Sequence, residues 1–567
     1  MDVGFTRLVT AGGTDISTRV LPANFDAVLC EGVAGVERVL GMIDRNPYSP
    51  TYGCCDRGYW HYRITDHPSG IFQHSVLALA VAATLNVPGN HFYGQSRLPE
   101  LAVAGMHFAR RSAHADGSAD DYYPFERALG AVVFPLVACT EAYELLNVHD
   151  ASLIEFFVRQ ATWLCTHDEP YPLANHQALA AYALLNVGRL SGEQRFLAAA
   201  HDRLDRVLEL QADEGWYREY EGCDAGYLTL TISLLGEYYQ RAPSPALLHS
   251  LERAVECAAY FMHPDGSYGG EYGSRNCNFF LMHGFEAIGA MAPLATQIVD
   301  HYLEGMRNGK QVRQNDERGM FLLTADRLQS VRDACSERHG LLEFKNVEHV
   351  YLGEARLFRA RQDGYHVVVS AAKGGTFKAF KGMELIASDC GLIGKLADGR
   401  VVATQLVDDN EVHVSGNSIR ITGRWHEVRL PVASPGRMLV FRIVLLSLGR
   451  SARFGKWLKR MLTRFLILRK RPLPLRFERS LCVDLEGVRV RDTIEVDDSR
   501  LRFASLHFGT DHTSIYVTAS RYFQESVLCP WTSLEVGLPR LHAEGRLSVE
   551  RVFRDRVLKR EGNSFLQ

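Results

Sequence analysis

The spacing of apolar residues changes near residue 312 of this chain. Before that position, apolar residues recur at three- and four-residue intervals, in segments joined by linkers rich in Gly, Pro, Asp and Asn. This is the pattern of amphipathic helices. After it, short runs rich in β-branched residues often alternate in polarity and end at Gly, Asp or Asn, which is the pattern of strands. We therefore predict a helical domain over 1–312 and an antiparallel β-sandwich over 313–567.

The predicted helices of the first domain are joined by linkers of two kinds. The helical pattern covers 25–42, 71–85, 97–112, 125–146, 152–166, 174–187, 194–211, 226–239, 245–262 and 281–306. Alternate linkers are long and aromatic, namely 52–66, 117–124, 167–173, 213–225 and 264–280. Because stacked helical hairpins place alternate linkers at the same end of the stack, we expect these polar-aromatic linkers to share one face. That face is where we predict a functional site.

The second domain combines strand-like runs with one helix-like segment. The runs lie at 366–370, 401–407, 411–415, 418–422, 438–444 and 488–496. Residues 451–468 form a basic amphipathic helix, with apolar residues on one side and Lys456, Lys459, Arg460 and Arg464 on the other. Three uses fit this segment: packing on the sandwich, lining a path for a polyanion, or, with the basic residues up to 471, contact with an anionic membrane.

Charge and cysteine content narrow the classes of function. A formal net charge of −3 over 567 residues argues against a general nucleic-acid binder. The twelve Cys include no CxxC pair and the N-terminus shows no signal-peptide pattern, so we expect reduced thiols and a cytoplasmic location. The 22 His show no HxH or HExxH spacing, so we expect no catalytic metal and no cofactor, while a structural metal stays open.

Two polar-aromatic linkers lead into helix starts that carry residues suited to proton transfer. Asn175 and His176 stand where one predicted helix begins, and Tyr227 stands where a later one begins. An amide, an imidazole and a phenol at the same end of two helices suit proton abstraction beside a carboxylate, with transfer to a leaving oxygen. In the structural alternative, Asn175 is a helix N-cap and the two rings only fill space.

This arrangement resembles the heparinase II/III-like polysaccharide lyase family and the related alginate and chondroitin lyases. The resemblance rests on Asn175-His176, on the segment 215–227 that ends in Tyr227, and on 269–278, which leads to His283. It implies an incomplete (α/α) toroid followed by an antiparallel β domain. The activity that it implies is β-elimination of a uronic-acid polysaccharide.

The resemblance also implies roles for individual residues. Asn175, helped by Arg275, would neutralise the substrate carboxylate, whose charge makes the adjacent proton hard to remove. His176 would act as a base or as a second neutralising group. Tyr227 would give a proton to the leaving glycosidic oxygen, and in a syn elimination it would also take the first proton. His283 would supply a further imidazole.

Residues near these positions are expected to bind an acidic polysaccharide or oligosaccharide. Aromatic side chains would carry sugar rings and charged side chains would contact the glycan; this set is Trp60, His61, Tyr123, Glu126, Arg127, Trp216, Arg218 and Glu221. The missing signal-peptide pattern and the basic helix both depart from secreted members of the family. They point to a cytoplasmic protein of a bacterial surface-polysaccharide pathway that acts on an intracellular or lipid-linked glycan. Degradation of an imported polymer is the alternative.

Two other functions stay open at the level of sequence. A glycoside hydrolase needs two carboxylates across the scissile bond, and the linkers supply Asp120, Asp121, Glu126, Glu219, Glu221 and Asp224. A hydrolase would depend on Glu221 and Asp224, whereas a lyase would depend on Tyr227. A glycan-binding protein that kept the fold without the chemistry is the third reading, because a fold does not determine a function.

Overall fold

A helical region followed by an antiparallel β region is what the change in apolar spacing predicts, and the chain has this architecture. The computed structural model describes residues 21–22, 24–169, 171, 173–220, 222–312, 316–405, 409–428, 432–462, 471–513, 520 and 523–554. Among the helices in these ranges, none has the combination of length and apolar character that crossing a bilayer requires.

In the helical region most helices follow the predicted segments closely, and three further helices of the described residues lie in the β region. They are α1 (Phe25–Met42), α2 (Arg57–Trp60), α3 (Ser75–Thr84), α4 (Arg97–Ser112), α5 (Leu129–Leu145), α6 (Ala151–Thr166), α7 (Ala174–Ser191), α8 (Gln194–Glu209), α9 (Ala225–Arg241), α10 (Pro245–Ala259), α11 (His283–Ala287), α12 (Pro293–Arg307), α13 (Glu317–Arg332), α14 (Pro435–Ser447), α15 (Ala452–Leu462) and α16 (Leu538–Glu544).

Helices that alternate along the chain form the inner wall of a toroid. Helices α3, α5, α7 and α9 are apolar on almost every side and are buried along most of their length. Helices α4, α6, α8 and α10 bury one face only. Each inner helix packs on the next, and α13 packs on both α3 and α11. A helix that is apolar all round must be covered on all sides, which explains the double ring.

The helical region continues beyond residue 312. Helix α13 lies along α1, and the first strand begins only at Glu348. The buried face of α13 carries polar side chains, among them Thr324, Asp326 and Gln329, so apolar spacing alone does not reveal this helix. The segment predicted as one helix over 281–306 is divided into α11 and α12, because Pro293 begins a new helix.

The β region consists of two antiparallel sheets packed face to face. The strands are β1 (Glu348–Leu352), β2 (Leu357–Gln362), β3 (Tyr365–Ser370), β4 (Thr376–Lys381), β5 (Glu384–Asp389), β6 (Leu392–Leu396), β7 (Val401–Ala403), β8 (Glu411–Ser415), β9 (Ser418–Val428), β10 (Pro472–Asp484), β11 (Gly487–Val496), β12 (Phe503–Phe508), β13 (Thr532–Ser533) and β14 (Arg546–Phe553). The first sheet has the order β1-β2-β3-β4-β5. The second has the order β13-β12-β6-β7-β9-β10-β11-β14, with β8 also on β9. Side chains of both sheets share one apolar core.

A helical hairpin is inserted between β9 and β10. The run 438–444, predicted as a strand, belongs instead to α14. A short continuous apolar run does not distinguish a strand from a helix, and this one is flanked by Ser434 and Pro435, which start a helix well. Helix α15 occupies the first part of the predicted basic helix, and 463–468 lie outside the described residues.

Linkers of the toroid bind the helical region to the β region. Glu271 in the linker 264–280 forms a buried ion pair with Lys378 of β4, with 3.1 Å between Nζ and Oε2. In the linker 213–225, the carboxylate of Glu214 accepts hydrogen bonds from the backbone N–H groups of Glu354 and Ala355, both at 2.8 Å. The face that carries the polar-aromatic linkers is therefore also the face that meets the sandwich.

Close packing between α9 and α11 gives a test of the inner ring. A Cβ atom at Gly284 would lie 2.3 Å from Cα of Ser233 and 2.5 Å from the carbonyl oxygen of Ile232. Backbone atoms cannot move aside without shifting a helix, so Gly284→Ala should lower the free energy of unfolding by about 2 kcal/mol or more. Urea unfolding followed by circular dichroism measures the change.

The matched control for this substitution is Gly41→Ala, on the exposed side of α1. A Cβ atom there meets nothing within 4 Å, and Ala is preferred to Gly inside a helix by about 0.5–1 kcal/mol. The control should therefore be neutral or slightly stabilising. Equal losses of stability in the two variants would contradict the packing of α9 on α11 described above.

Candidate active site

The linker 213–225 is attached to the first turns of both α7 and α9. The backbone N–H of Ala174 donates to the carbonyl of Arg218 at 3.1 Å. At the start of α9, the carboxylate of Asp224 accepts from the N–H of Tyr227 at 3.1 Å and from the N–H of Arg275 at 2.9 Å. Asp224 is thus an N-cap that also fixes the linker 264–280. Three stretches distant in sequence meet at this end of the toroid.

Glu219 is the centre of the polar contacts at this end. Its carboxylate is buried and accepts from the backbone N–H of Asn175 at 2.9 Å, from Nδ2 of Asn175 at 2.6 Å and from the guanidinium of Arg275 at 2.6 Å. Asn175 is not the N-cap of α7, because the helix begins at Ala174 and the Asn175 side chain donates rather than accepts. Its Oδ1 is buried and accepts no hydrogen bond from the described residues.

The guanidinium of Arg275 lies on the ring of Tyr227, with its central carbon 3.5 Å from the ring centroid. Burial alone would lower the pKa of Arg275, but the neighbouring acidic groups, Glu219 foremost and Asp224 among them, together outweigh burial and raise it. The arginine therefore stays charged inside the protein. Tyr227 itself is half-buried and meets Phe279 edge-on at 5.6 Å. One carboxylate thus joins the amide to the guanidinium, and the guanidinium covers the phenol ring.

His176 belongs to a neighbouring group of charges. Its Nδ1 lies 3.3 Å from the carboxylate of Glu169, which also pairs with Lys459 of α15 at 3.1 Å. Burial would raise the pKa of Glu169, but the adjacent imidazole of His176 and the charge of Lys459 outweigh burial and lower it to about 2. The carboxylate is ionised at neutral pH and orients the imidazole beside the start of α7.

Tyr220 lies between the two groups. Its ring centroid is 5.8 Å from the guanidinium carbon of Arg275 and 5.4 Å from the ring of Tyr171. Burial, with a further contribution from the charge of Glu169, raises the pKa of Tyr220 to about 12. The Glu219 group and the Glu169 group are therefore parts of one site at the N-terminal ends of α7 and α9.

Several of the residues predicted to bind substrate border this site. Trp216 and Arg218 line a cavity of about 240 Å³ between the toroid and the first sheet, together with Glu219 and Arg356. Glu126 and Arg127 line a smaller cavity beneath α15, of about 40 Å³, which Glu169 and Lys459 also border. Burial raises the pKa of Glu126 to about 7. Tyr123 packs edge-on against Phe441 of α14 at 5.4 Å.

Other predicted residues have their contacts elsewhere. Trp60 donates from its indole to the carbonyl of Met42 at 2.7 Å, and the ring of His61 lies tilted against Trp60 with 5.1 Å between centroids, so both are held at the end of α1. The loop 52–66 is pinned by its own aromatic residues. Glu221 lies outside the described residues.

The structure does not bring His283 to Tyr227, so the role predicted for it is corrected. Its Nδ1 is 2.6 Å from Glu237 and its Nε2 is 2.7 Å from Asp333. Tyr227 and Glu237 are ten residues apart on α9, which at a rise of about 1.5 Å per residue separates them by about 15 Å. The three side chains Glu237, His283 and Asp333 have the ligand types of a metal site, and their ligand atoms lie within 4.8 Å of one another.

The sequence did not lead us to place Glu169, Lys459 or Tyr220 at the site. It also did not predict that Glu219 holds Asn175 and Arg275 in place. Glu169, Glu219 and Tyr220 all lie in polar-aromatic linkers, so the convergence of these linkers was the signal for them. Nothing in the sequence pairs Lys459 with Glu169, which are 290 positions apart.

Comparison with known proteins identifies solved structures of similar fold. No protein-family model and no curated protein matches this sequence. Among solved structures, the chain is similar to a xanthan lyase of Paenibacillus, with a TM-score of 0.50 and 10% identity over 86% of this chain. The chain spans about half of that protein, 46% of its length.

Two further lyases have related structures. The chondroitin AC lyase of Streptomyces coelicolor A3, in complex with chondroitin sulphate, has 12% identity and a TM-score of 0.49, over 88% of this chain and 69% of that one. A mutant of the heparan sulfate lyase HepC from Pedobacter heparinus has 12% identity and a TM-score of 0.42, over 88% and 73%. The likeness to the xanthan lyase confirms the predicted fold, and with it, at the level of fold, the resemblance to polysaccharide lyases.

The contacts of Glu219 predict a large loss of stability when its charge is removed. Glu219→Gln leaves the buried guanidinium of Arg275 without its carboxylate, and breaking such a pair costs about 3–5 kcal/mol. The exposed i,i+4 pair of Arg540 and Glu544 is the matched control, since Glu544→Gln should change stability by less than about 0.5 kcal/mol. Chemical unfolding measures both. A loss in Glu219→Gln no larger than in the control would contradict the assigned pairing.

The surroundings of His283 predict a pH-dependent stability. Burial would lower its pKa, but Glu237 and Asp333 outweigh burial and raise it to about 9, above the ordinary value of about 6.5. The charged imidazole therefore stabilises the fold fully below pH 6.5, and this stabilisation is lost as the pH rises through 9. The stability difference between the wild-type protein and His283→Gln should narrow by about 3 kcal/mol over that range. A difference independent of pH would refute the ion-pair assignment.

Proposed function

We propose that this protein is a polysaccharide lyase that cleaves a uronic-acid-containing glycan by β-elimination. The observation that carries the proposal is the stacking of the Arg275 guanidinium on Tyr227, at 3.5 Å, within the network that also holds Asn175. A phenol becomes an effective proton carrier when a fixed positive charge stabilises its phenolate form. Arg275 supplies such a charge, and Glu219 holds it in place.

In the proposed reaction, Asn175 and Arg275 stabilise the negative charge that develops at the substrate carboxylate. Tyr227 or His176 takes the proton from the carbon that bears this carboxylate. The electron pair forms a double bond to the neighbouring carbon as the bond to the glycosidic oxygen breaks, and Tyr227 gives a proton to that oxygen. His176 can serve as the base because the ionised carboxylate of Glu169 orients its ring and stabilises the imidazolium that forms.

The cavity beside Glu219 supports an acidic glycan as the substrate class. Trp216 offers an aromatic wall, and Arg218 and Arg356 offer positive charge between the toroid and the first sheet. Lys373 borders the same cavity. These three cationic side chains outnumber the two carboxylates that border the cavity, Glu219 and Glu354. The excess of positive charge attracts a negatively charged ligand. The lyases of similar fold named above include one solved with chondroitin sulphate, an acidic polysaccharide.

A second candidate function is glycoside hydrolysis by Glu126 and Glu169. Both carboxylates border the cavity beneath α15. Burial raises the pKa of Glu126 to about 7, while His176 and Lys459 hold the pKa of Glu169 at about 2 despite burial. Two carboxylates with separated pKa values suit the protonated acid and the ionised partner of a glycosidase.

The nature of the products distinguishes the two functions. Incubation with a panel of uronic-acid polysaccharides should produce an ultraviolet absorbance, because β-elimination leaves a double bond conjugated to the carboxylate. New reducing ends should appear in equal amount. Reducing ends without absorbance would identify the hydrolase and would exclude the lyase.

The role of Tyr227 is tested by removing one oxygen atom. Tyr227→Phe keeps the ring under Arg275, so the protein should fold, while turnover should fall by about 100-fold or more because the proton carrier is lost. The control is Tyr239→Phe, a half-buried tyrosine further along α9, which should leave turnover unchanged. The rate of absorbance increase under saturating substrate is the measurement. Near-normal turnover of Tyr227→Phe would rule out the mechanism as assigned.

A further inference from the structure

The inserted hairpin, residues 432–462 with α14 and α15, exposes an unusual amount of apolar surface. Leu439 is 63% exposed, Val440 62% and Ile443 57%. The other exposed large apolar side chains of the hairpin are Val432, Met438, Leu446, Leu448 and Trp457. Single exposed apolar residues are ordinary, but a contiguous group of this kind marks an interaction surface.

The opposite side of the hairpin is tied to the toroid at the face that carries the candidate active site. Arg442 pairs with Asp66 at 3.2 Å, and Lys459 pairs with Glu169 at 3.1 Å. The guanidinium of Arg127 donates to the carbonyl oxygens at the turn of the hairpin, Gly449 at 3.4 Å and Arg450 at 3.2 Å. These contacts fix the hairpin on the toroid, and its apolar outer surface is left exposed.

The charge of the hairpin indicates what this surface binds. Residues 432–462 contain seven Arg and Lys and no Asp or Glu, whereas the whole chain has a net charge of −3. Arg437, Arg453, Lys456 and Arg460 are exposed beside the apolar residues. A second copy of the hairpin would bring two such concentrations of positive charge together, and repulsion opposes that contact. The complementary partner is apolar and negatively charged.

We propose that the hairpin binds the surface of an anionic lipid bilayer. Exposed apolar side chains such as Leu439, Ile443 and Trp457 enter the boundary between headgroups and acyl chains, and the basic residues contact lipid phosphates. Helix α14 has 13 residues, which suits a helix that lies in the interface rather than crosses it. Binding brings the end of the toroid that carries Glu169 and His176 close to the membrane.

The first experiment separates apolar insertion from non-specific adhesion. Full-length protein is sedimented with vesicles of phosphatidylcholine alone, or of phosphatidylcholine mixed with phosphatidylglycerol. The double variant Leu439→Ser, Ile443→Ser should bind the anionic vesicles at least tenfold more weakly than the wild-type protein. The control is Leu485→Ser, Val536→Ser, two residues of the β region that are 70% and 77% exposed, and it should bind like the wild type. Equal binding by both double variants would overturn the proposal.

The second experiment tests the charge. The triple variant Arg437→Gln, Lys456→Gln, Arg460→Gln should lose roughly a hundredfold in affinity for anionic vesicles, and high salt should release the wild-type protein. The control triple, Arg500→Gln, Arg540→Gln, Arg546→Gln, removes three exposed charges from the β region and should leave binding unchanged. All variants should unfold at the wild-type temperature, because the replaced side chains are exposed.

Two results would refute the proposed binding to an anionic bilayer. One is equal sedimentation of the wild-type protein with neutral and anionic vesicles. The other is the absence of vesicle binding. If the protein then forms a concentration-dependent dimer in sedimentation velocity, and Leu439→Ser, Ile443→Ser abolishes that dimer, the surface binds a second copy of the chain. Neither readout depends on catalytic activity, so both stand apart from the proposed lyase function.

Discussion

The buried carboxylate of Glu219 is the interaction on which the candidate active site depends. An ionised carboxylate inside a protein is costly unless its oxygens are fully paired. Here the backbone and amide of Asn175 and the guanidinium of Arg275 supply those partners. The same contacts join the start of α7 to the linkers before α9 and after α10, and they hold Arg275 on the ring of Tyr227. Positions so far apart in the chain are therefore fixed relative to one another.

Two other ion pairs join the toroid to the rest of the molecule at this end. Glu271 binds Lys378 of the first sheet, and Glu169 binds Lys459 of the inserted hairpin. Each carboxylate is buried and each lies in a polar-aromatic linker. The sandwich and the hairpin thus complete the walls of the site and do not merely follow the toroid in sequence. This arrangement explains why the cavities of the site lie between regions instead of inside one of them.

Much of the architecture follows from local patterns. The helices α1 and α4 and the strand β8 coincide with the segments predicted for them, since apolar spacing reports which side of an element is covered. Apolar spacing gave a wrong prediction where a buried helix face is polar or an exposed one is apolar. The buried face of α13 is partly polar, and the apolar residues of α14 are exposed. Trp60 was expected at the site as an aromatic platform for sugar, and His283 because of the family resemblance, but their nearest polar partners hold them elsewhere.

The sequence by itself determined the two classes of structure, their order, and the gathering of the polar-aromatic linkers at one end of a helical stack. It also identified Asn175, Arg275 and Tyr227, which the tertiary structure links through Glu219. Only the tertiary structure decided which charges are paired, and so which group can move a proton. Periodicity is a local property of the chain. The pKa of Glu169, in contrast, depends on its burial, on His176 and on a lysine 290 residues away, and such neighbours exist only after folding.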